Sequence, residues 1–484
     1  MAVNNLQPEA QRILLIDLPT YPKGTVALSL YAVAAAMEGC DCQVIDLNVE
    51  DWEEATKRMG EWVPDLVGLK VSAQNHGHAI SVTVMAREHF PATLVMWGGE
   101  LPTLLPDECL KHCDVAVQGA IEPIVRRLLE DLGAGSLAKR YDGREMPSLS
   151  ALHSPRLDLL AHPDRYPRFM GLPMESSRGC TFKCTFCMVH SMQPRYLLKT
   201  EEQLKAELHQ YRGRFLNLVD YNFGVDPEHV KRVASAIRDS EVLGWMGEMC
   251  LESLDNDEVL RALAESRCRM IYCGLEAIDE LGLKSINKAR TNQIAHYDQI
   301  IAKVQSYGIQ IAAGMIIGLE GATQEGMERM RQYFQERGIL YIKLTFLTYN
   351  PGTKVKQSML RTGSYTTEAI EQYDGMHLTF LPEGVDPQEM YAGAEAFIKQ
   401  FYSLSAIRRR SRVPQLDWRG RMEFILFNLC YREVYLEWLR QGIFRDEAAF
   451  QAMLAGLHQP SGMLKWADQL LDKVRRRRYL MEKP

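Results

Sequence analysis

Short apolar runs alternate with amphipathic stretches along the first quarter of the chain. Arg12–Leu18, Cys42–Leu47, Asp65–Val71, Thr93–Trp97 and Asp114–Val117 read as strands, and the segments between them have helical periodicity. This rhythm predicts a doubly wound, Rossmann-like α/β domain over residues 1–132, where ligands sit outside the carboxyl ends of the strands. The loops in that position are Pro19–Thr25, Ser72–Gly77, Gly98–Pro102 and Gln118–Pro123. Residues 133–172, rich in Gly, Pro, Arg and Ser, read as an extended linker. A second βα series fills 173–353, with strands expected at Leu172–Ser176, Phe215–Val219, Trp245–Leu251, Met270–Gly274, Gln310–Ile317 and Tyr341–Thr345. Beyond Thr353 the pattern turns helical, at Asp386–Arg412, Met422–Gln441 and Asp446–Tyr479, which predicts a helical C-terminal cap over 354–484.

A chain of 484 residues, 46% hydrophobic, buries more than one core. Its formal net charge of −6 provides no global basic field, so nucleic acid is not an expected partner. The first residues lack a basic segment followed by an apolar one, and no apolar run reaches the roughly 20 residues that span a bilayer. A cytoplasmic location is the expectation. Eleven cysteines, without the regular spacing of a secreted disulfide scaffold, agree with a reducing compartment.

Three of those cysteines, Cys180, Cys184 and Cys187, form a C-x3-C-x2-C array inside Glu175-Ser-Ser-Arg-Gly-Cys-Thr-Phe-Lys-Cys-Thr-Phe-Cys187. A zinc site would pair a short Cys motif with a second Cys or His pair, and none follows. A [4Fe-4S] cube held by three thiolates keeps one iron open for a small molecule. The array, with Phe186 before its last cysteine, resembles the radical S-adenosylmethionine (SAM) superfamily. The resemblance implies a partial (β/α)6 TIM-like barrel, a 4Fe-4S cluster on the three cysteines, and SAM cleaved to a 5'-deoxyadenosyl radical. Phe186 then packs by the SAM adenine. Glu276, in Gly274-Leu-Glu-Ala277, and Lys288 or Arg290, in Asn287-Lys-Ala-Arg290, hold SAM. Backbone at Gly314 and Gly318, in Gly314-Met-Ile-Ile-Gly-Leu-Glu-Gly321, meets the adenine edge. Asp220, at the end of the second strand of this series, binds the SAM amino group or substrate, or caps the helix starting near Asp226. Cys250, Cys268 and Cys273 read as small buried hydrophobes, with an auxiliary cluster as the alternative.

The first domain resembles the cobalamin-binding domain of one radical SAM class through Leu14-Leu-Ile-Asp-Leu-Pro19, Trp97-Gly-Gly-Glu-Leu-Pro-Thr103 and Asp114-Val-Ala-Val-Gln-Gly-Ala-Ile-Glu122. Gly98, Gly99 and Gly119 allow close backbone approach to a flat macrocycle, and Ser72 and Gln118 offer hydrogen bonds to its amide rim. The Asp-x-His-x-x-Gly element that supplies a cobalt ligand in some cobalamin proteins is absent. The usual Gly-Glu-Gly-Glu is replaced by Gln-Gly-Ala-Ile-Glu. Tyr373-Asp-Gly-Met-His377 resembles the C-terminal extension of a subgroup that includes lipid-modifying enzymes and implies catalytic roles for Tyr373 and His377; helix-surface and capping roles are the alternative. The basic runs Arg408–Arg412 and Arg475–Arg478 imply either a solvated surface or peripheral contact with anionic lipid.

Together these features predict a radical SAM methyltransferase. It moves a methyl group from methylcobalamin to an unactivated carbon of a small molecule or lipid, with flavodoxin or ferredoxin as reductant. The alternative is a cobalamin-free cyclase, coupling or rearrangement enzyme whose first domain binds substrate.

Overall fold

Five of the apolar runs in the first domain form a parallel ladder because branched aliphatic residues bury both faces of each strand. In the computed structural model, which describes residues 10–20, 25–351, 353, 356, 359, 363–442, 447–456 and 460–482, the chain divides into two units. One comprises Met1–Pro147, Ala151–Arg165 and Leu454–His458, and the other Ser148–Ser150, Tyr166–Met453 and Gln459–Pro484.

The first unit is built on a six-stranded parallel sheet, in the order 2-1-3-4-5-6. Its strands are Arg12–Asp17, Asp41–Asp46, Leu66–Lys70, Leu94–Gly98, Val115–Gly119 and Arg140–Gly143. Strand order reverses between the first and third strands, and the loops beyond their carboxyl ends form the ligand edge of such a sheet. Within it Ile13, Leu14, Leu15 and Ile16 are buried, and Trp97 donates its indole N–H to Thr83 Oγ1 at 2.9 Å. The sixth strand lies in the stretch expected to be linker. It is four residues long with Arg140 and Asp142 facing out, so it carries no apolar run, and its register with Val115–Gly119 supplies the order instead.

The second unit holds six parallel strands in simple sequential order: Leu172–Met174, Phe215–Leu218, Gly244–Glu248, Cys268–Glu276, Gln310–Ile317 and Ile342–Phe346. This is the open half-barrel expected from the six βα repeats. Side-chain caps start its helices: Thr200 with Gln203 in a capping box, Asp226 before Pro227, Asn256, and Thr323.

The C-terminal helices depart from the bounds that the periodicity predicts. Asp386–Arg412 divides into Pro387–Phe401 and Leu404–Arg410, with Ser403 capping the second. The next helix, Trp418–Gln441, starts earlier than expected because Asp417 caps it. The last predicted helix is two, Glu447–Ala455 and Gly462–Glu482, and Asp446 lies outside the described residues. An antiparallel pair, Gly363–Tyr365 with Phe380–Pro382, precedes them.

Part of each basic run is internal. Arg410 is buried and donates to Ile339 O and Leu340 O at 2.7 Å, and to Phe401 O and Asn428 Oδ1 at 2.9 Å. Burial alone pulls its guanidinium down to about 9. Arg475 is likewise buried against Glu423 at 3.2 Å, and Arg478 meets the same carboxylate at 3.1 Å. The outward charge is therefore that of Arg408, Arg409, Arg412, Arg476 and Arg477. No helix among the described residues is long and apolar enough to cross a membrane.

Arg410→Leu leaves three carbonyls and one amide oxygen without their donor in the core, so it should lower unfolding free energy by about 3 kcal/mol or more. Chemical denaturation read by circular dichroism measures the loss.

Candidate active site

The array Cys180–Cys187 follows directly on the first barrel strand, at the carboxyl end where barrel enzymes keep their chemistry. Asp220, at the end of the second strand, holds the start of this segment. Its Oδ1 accepts from Ser176 N at 2.9 Å and from Ser177 N, and its Oδ2 accepts from Ser176 Oγ at 3.0 Å. Burial pushes the Asp220 carboxyl up to about 7 and pulls His229, 3.1 Å from Ser176 Oγ, down to about 4. Asp220 does not cap the following helix as one reading expected; Asp226 does, through Glu228 N at 2.9 Å.

The cluster segment is tied on its other side to residues 286–288. Thr185 N donates to Ile286 O at 3.2 Å, and Asn287 Nδ2 to Lys183 O at 3.1 Å. The next residue, Lys288, is buried, with its ammonium 2.7 Å from Glu276 Oε1 and 2.6 Å from Gly274 O. Burial disfavours that ammonium, but the Glu276 carboxylate outweighs it and holds Lys288 above its ordinary range. Glu276 itself sits at φ 63°, where the fourth barrel strand slips register against the fifth. Arg290 is exposed, so of the two expected cations it is Lys288 that joins Glu276.

Gly274 is required here, since a Cβ would stand 2.3 Å from Glu276 Oε1 and 2.8 Å from Lys288 Nζ. At Gly314 a Cβ would strike the Tyr272 hydroxyl at 2.2 Å, and at Gly318, φ 85°, it would meet Leu378 at 3.0 Å. Tyr373–Leu378 borders this end of the barrel: Phe346 N donates to Gly375 O at 2.7 Å. There His377 Nδ1 lies 2.9 Å from Asp374 Oδ2, both side chains buried, while Tyr373 donates to Thr367 O at 2.9 Å. Phe186 is half-buried within the cluster segment.

The three thiols fit a cluster. Burial raises Cys184 to about 11 against the pull of Lys288, and raises Cys187; Cys180 adds like charge to both. The fit lies in the donor set, three free thiols on one short segment, Cys187 exposed and Cys180 and Cys184 half-buried, which lose their protons on ligation. Among the described residues no three His, Cys, Asp or Glu side chains converge on one point as a mononuclear site requires, whereas a cube takes one thiolate per iron. Cys268 and Cys273 are fully buried strand residues and Cys250 Sγ lies 2.8 Å from Ser253 Oγ.

The first unit keeps buried polar atoms that lack hydrogen bonds at its ligand edge. Among the described residues Asp17 Oδ1 and Ser72 Oγ are buried without a hydrogen bond, at the ends of the first and third strands. Burial raises Asp17 and Glu100 to about 7 despite Lys70, whose ammonium is 3.8 Å from Asp17. A Cβ on Gly98 would meet only Val117, at 4.0 Å, so this glycine faces room. Gly99, φ 105°, is demanded by Val71 O at 2.9 Å, and Gly119, φ 74°, by Arg144 at 2.7 Å. Gln118 has its amide nitrogen committed to Thr103 O at 3.2 Å, which leaves its oxygen for other partners. The open cradle at Gly98, the unbonded Ser72 Oγ and the spare Gln118 oxygen fit a large polar ligand.

Sequence reasoning passed over Glu248, Tyr272, Lys343 and Asn292. Asn292 Nδ2 donates to Gly274 O at 2.9 Å and Leu275 O at 3.1 Å. The available signal was a charged residue closing an apolar barrel strand, as in Trp245-Met-Gly-Glu248.

Residues 174–334 match the family model of the radical SAM superfamily, and residues 20–129 that of the B12 binding domain. The chain is an enzyme of the cobalamin-binding class of radical SAM proteins, whose cofactors are a 4Fe-4S cluster, SAM and cobalamin and whose chemistry needs a reductant. It is 22% identical over 436 residues to bacteriochlorophyllide d C-12(1)-methyltransferase of Chlorobaculum tepidum, covering 87% of this chain and 91% of that one. It is 24% identical to hopanoid C-3 methylase of Methylococcus capsulatus, over 76% and 74% of the two chains. In fold it is similar to the cobalamin-dependent SAM radical enzyme OxsB with aqua-cobalamin and SAM bound (TM-score 0.66, 12% identity, 96% of this chain and 84% of that one). The radical SAM methyltransferase TsrM from Kitasatospora setae superposes with a TM-score of 0.61 at 15% identity, over 83% and 90% of the chains.

Because Asp220 has its pKa raised from 3.8 to about 7, its contribution to stability is fully present below pH 4 and is lost as pH rises through 7. Denaturation midpoints of the wild type should therefore fall relative to Asp220→Asn over that interval; parallel curves would show that the carboxyl is not held protonated.

Proposed function

We propose that this enzyme transfers a methyl group to an unactivated carbon of its substrate. When bound, the cluster and SAM supply a 5'-deoxyadenosyl radical, and cobalamin supplies the methyl group. The observation that carries the reading is the convergence, at the carboxyl end of one half-barrel, of the Cys180–Cys184–Cys187 segment and the buried Glu276–Lys288 pair, in a chain with a B12 binding domain. Cys180, Cys184 and Cys187 hold the cluster. Lys288 and Glu276 take the carboxylate and amino ends of SAM through charge-assisted hydrogen bonds. Phe186 and the backbone at Gly314 and Gly318 border the adenine, Asp220 positions the cluster segment through Ser176 and Ser177, and Asp374 orients His377 at the rim beside Tyr373. Arg290 is left to the surface. In the first domain Ser72, Gly98 and the Gln118 oxygen meet the cobalamin, while Gly99 and Gly119 shape its edge.

Along the chain we assign 1–132 to the cobalamin domain, 133–172 to the connection with its edge strand, 173–353 to the barrel and 354–484 to the cap. A flavodoxin- or ferredoxin-type donor supplies the electron. The cobalamin-free alternative loses ground to the B12 binding match over residues 20–129.

Anaerobic purification from cobalamin-supplemented cells tests this directly. About four irons per chain, near-stoichiometric cobalamin and reductant-dependent 5'-deoxyadenosine are expected. Four irons without cobalamin, even after loading, would refute methyl transfer. Substituting Cys180, Cys184 or Cys187 by Ala should abolish 5'-deoxyadenosine, and Glu276→Gln should raise the KM for SAM about tenfold or more while the iron content holds.

A further inference from the structure

Glu248, Tyr272 and Lys343 share the concave wall of the half-barrel. Glu248 pairs in register with Tyr272, and one row further on Gly274 pairs with Gly314 and Gly314 with Lys343. Directly paired residues of a parallel sheet point to one face, as do residues two apart on one strand. Tyr272 and Gly274 therefore join the two rows on the same side. That side is the interior, because a Cβ on Gly274 would stand 2.3 Å from Glu276 Oε1 and 2.8 Å from Lys288 Nζ, so the row faces the site described above. Glu248 also feels the charges of Lys343, Glu276, Lys288 and Asp220.

None of the three polar groups is spent on the protein. Among the described residues the Glu248 carboxyl, the Tyr272 hydroxyl and the Lys343 ammonium make no hydrogen bond and no ion pair within 4.0 Å, although Lys343 is the leading attractive charge on Glu248. Glycines at 274 and 314 leave the row beside Lys343 without side chains of its own; the Tyr272 hydroxyl stands beside Gly314 and the Glu276–Lys288 pair beside Gly274. An acid and a base held apart across a hollow, with a hydroxyl on its floor, present a site for a molecule of complementary charge.

We propose that Lys343, Tyr272 and Glu248 form the substrate-recognition floor of the barrel and select a polar substrate that presents an oxyanion next to an N–H or O–H donor. Lys343 and Tyr272 take the oxyanion, and Glu248 accepts from the donor. This deepens the radical SAM reading and rests on it for the identity of the pocket. It places the substrate among carboxylate- or phosphate-bearing small molecules and against hydrocarbon lipids without such a group.

Saturation-transfer NMR on the anaerobic holoenzyme tests the floor with L-2-aminobutyrate, butyrate and n-butylamine as probes, and with inorganic phosphate as competitor. The wild type should bind L-2-aminobutyrate more strongly than butyrate and n-butylamine least. Lys343→Met should weaken both carboxylates about tenfold, the size of one lost charge-assisted bond, while Lys343→Arg retains them. Glu248→Gln should erase the advantage of L-2-aminobutyrate over butyrate. Displacement by phosphate would identify a phosphoryl site and its failure a carboxylate site, either one agreeing with the proposal. Equal binding by the wild type and Lys343→Met, or no binding of any probe to the wild type, overturns it. The same samples, given SAM and dithionite, report 5'-deoxyadenosine. Its absence with the binding pattern intact would count against the radical reading and leave the oxyanion floor standing, whereas its presence with indifferent binding would do the reverse.

Discussion

The second unit depends on the ammonium of Lys288. That single group bonds the carboxylate of Glu276 and the carbonyl of Gly274, the two ends of the irregular step that closes the fourth barrel strand. A non-glycine residue at φ 63° costs about 1–3 kcal/mol and persists only where its surroundings over-determine it. Here they do, since Asn292 holds the Gly274 and Leu275 carbonyls from the same side. Lys288 is in turn placed by the turn through Ile286 and Asn287, whose backbone carbonyl and side chain grip the cysteine segment. One buried ion pair thus joins the end of a strand and a strained carboxylate to the turn that holds the cysteine segment. A buried pair of this kind is weak evidence of net stability, because desolvating both ions offsets much of their attraction. Its role is better described as positional, since it fixes Glu276 against the turn that holds the cysteine segment.

The fold was legible where hydrophobicity ran continuously. Parallel strands buried on both faces read as unbroken apolar stretches, and eleven of the twelve strands in the two parallel sheets fell at or within a few residues of where those stretches predict them. Arg140–Gly143 escaped because an edge strand with Arg140 and Asp142 outward has no such stretch; only its pairing with Val115–Gly119 defines it. Helix lengths were less legible for a related reason. Periodicity continues through Tyr402 and Ser403, but the Ser403 hydroxyl starts a new helix there, and a local hydrogen bond overrides a pattern that only records which side faces the core.

In the site, motif residues were legible and their supports were not. Cys180, Cys184, Cys187, Glu276 and Lys288 stand in short recognisable strings, whereas Glu248, Tyr272 and Lys343 sit on three separate strands and meet only through sheet register. Register depends on how every intervening strand pairs, which no local window contains. The choice between Lys288 and Arg290 shows the same limit. Both are basic residues two apart, and only the turn at Asn287, φ 56°, decides which one enters the barrel.

Both units place unsatisfied polarity at the same architectural address. In the first, Ser72 Oγ lies beyond the third strand of the sheet without a hydrogen bond; in the second, Asn222 Nδ2 and Glu252 Oε2 do so beyond the second and third barrel strands. A buried polar group left unmatched costs about 1–3 kcal/mol, and in a folded protein most such groups are paired. The ones beyond the carboxyl ends of parallel strands follow from geometry: strand interiors satisfy their backbone in the ladder, while the carboxyl ends open into loops. Polar atoms there can be satisfied by a ligand without disturbing the sheet.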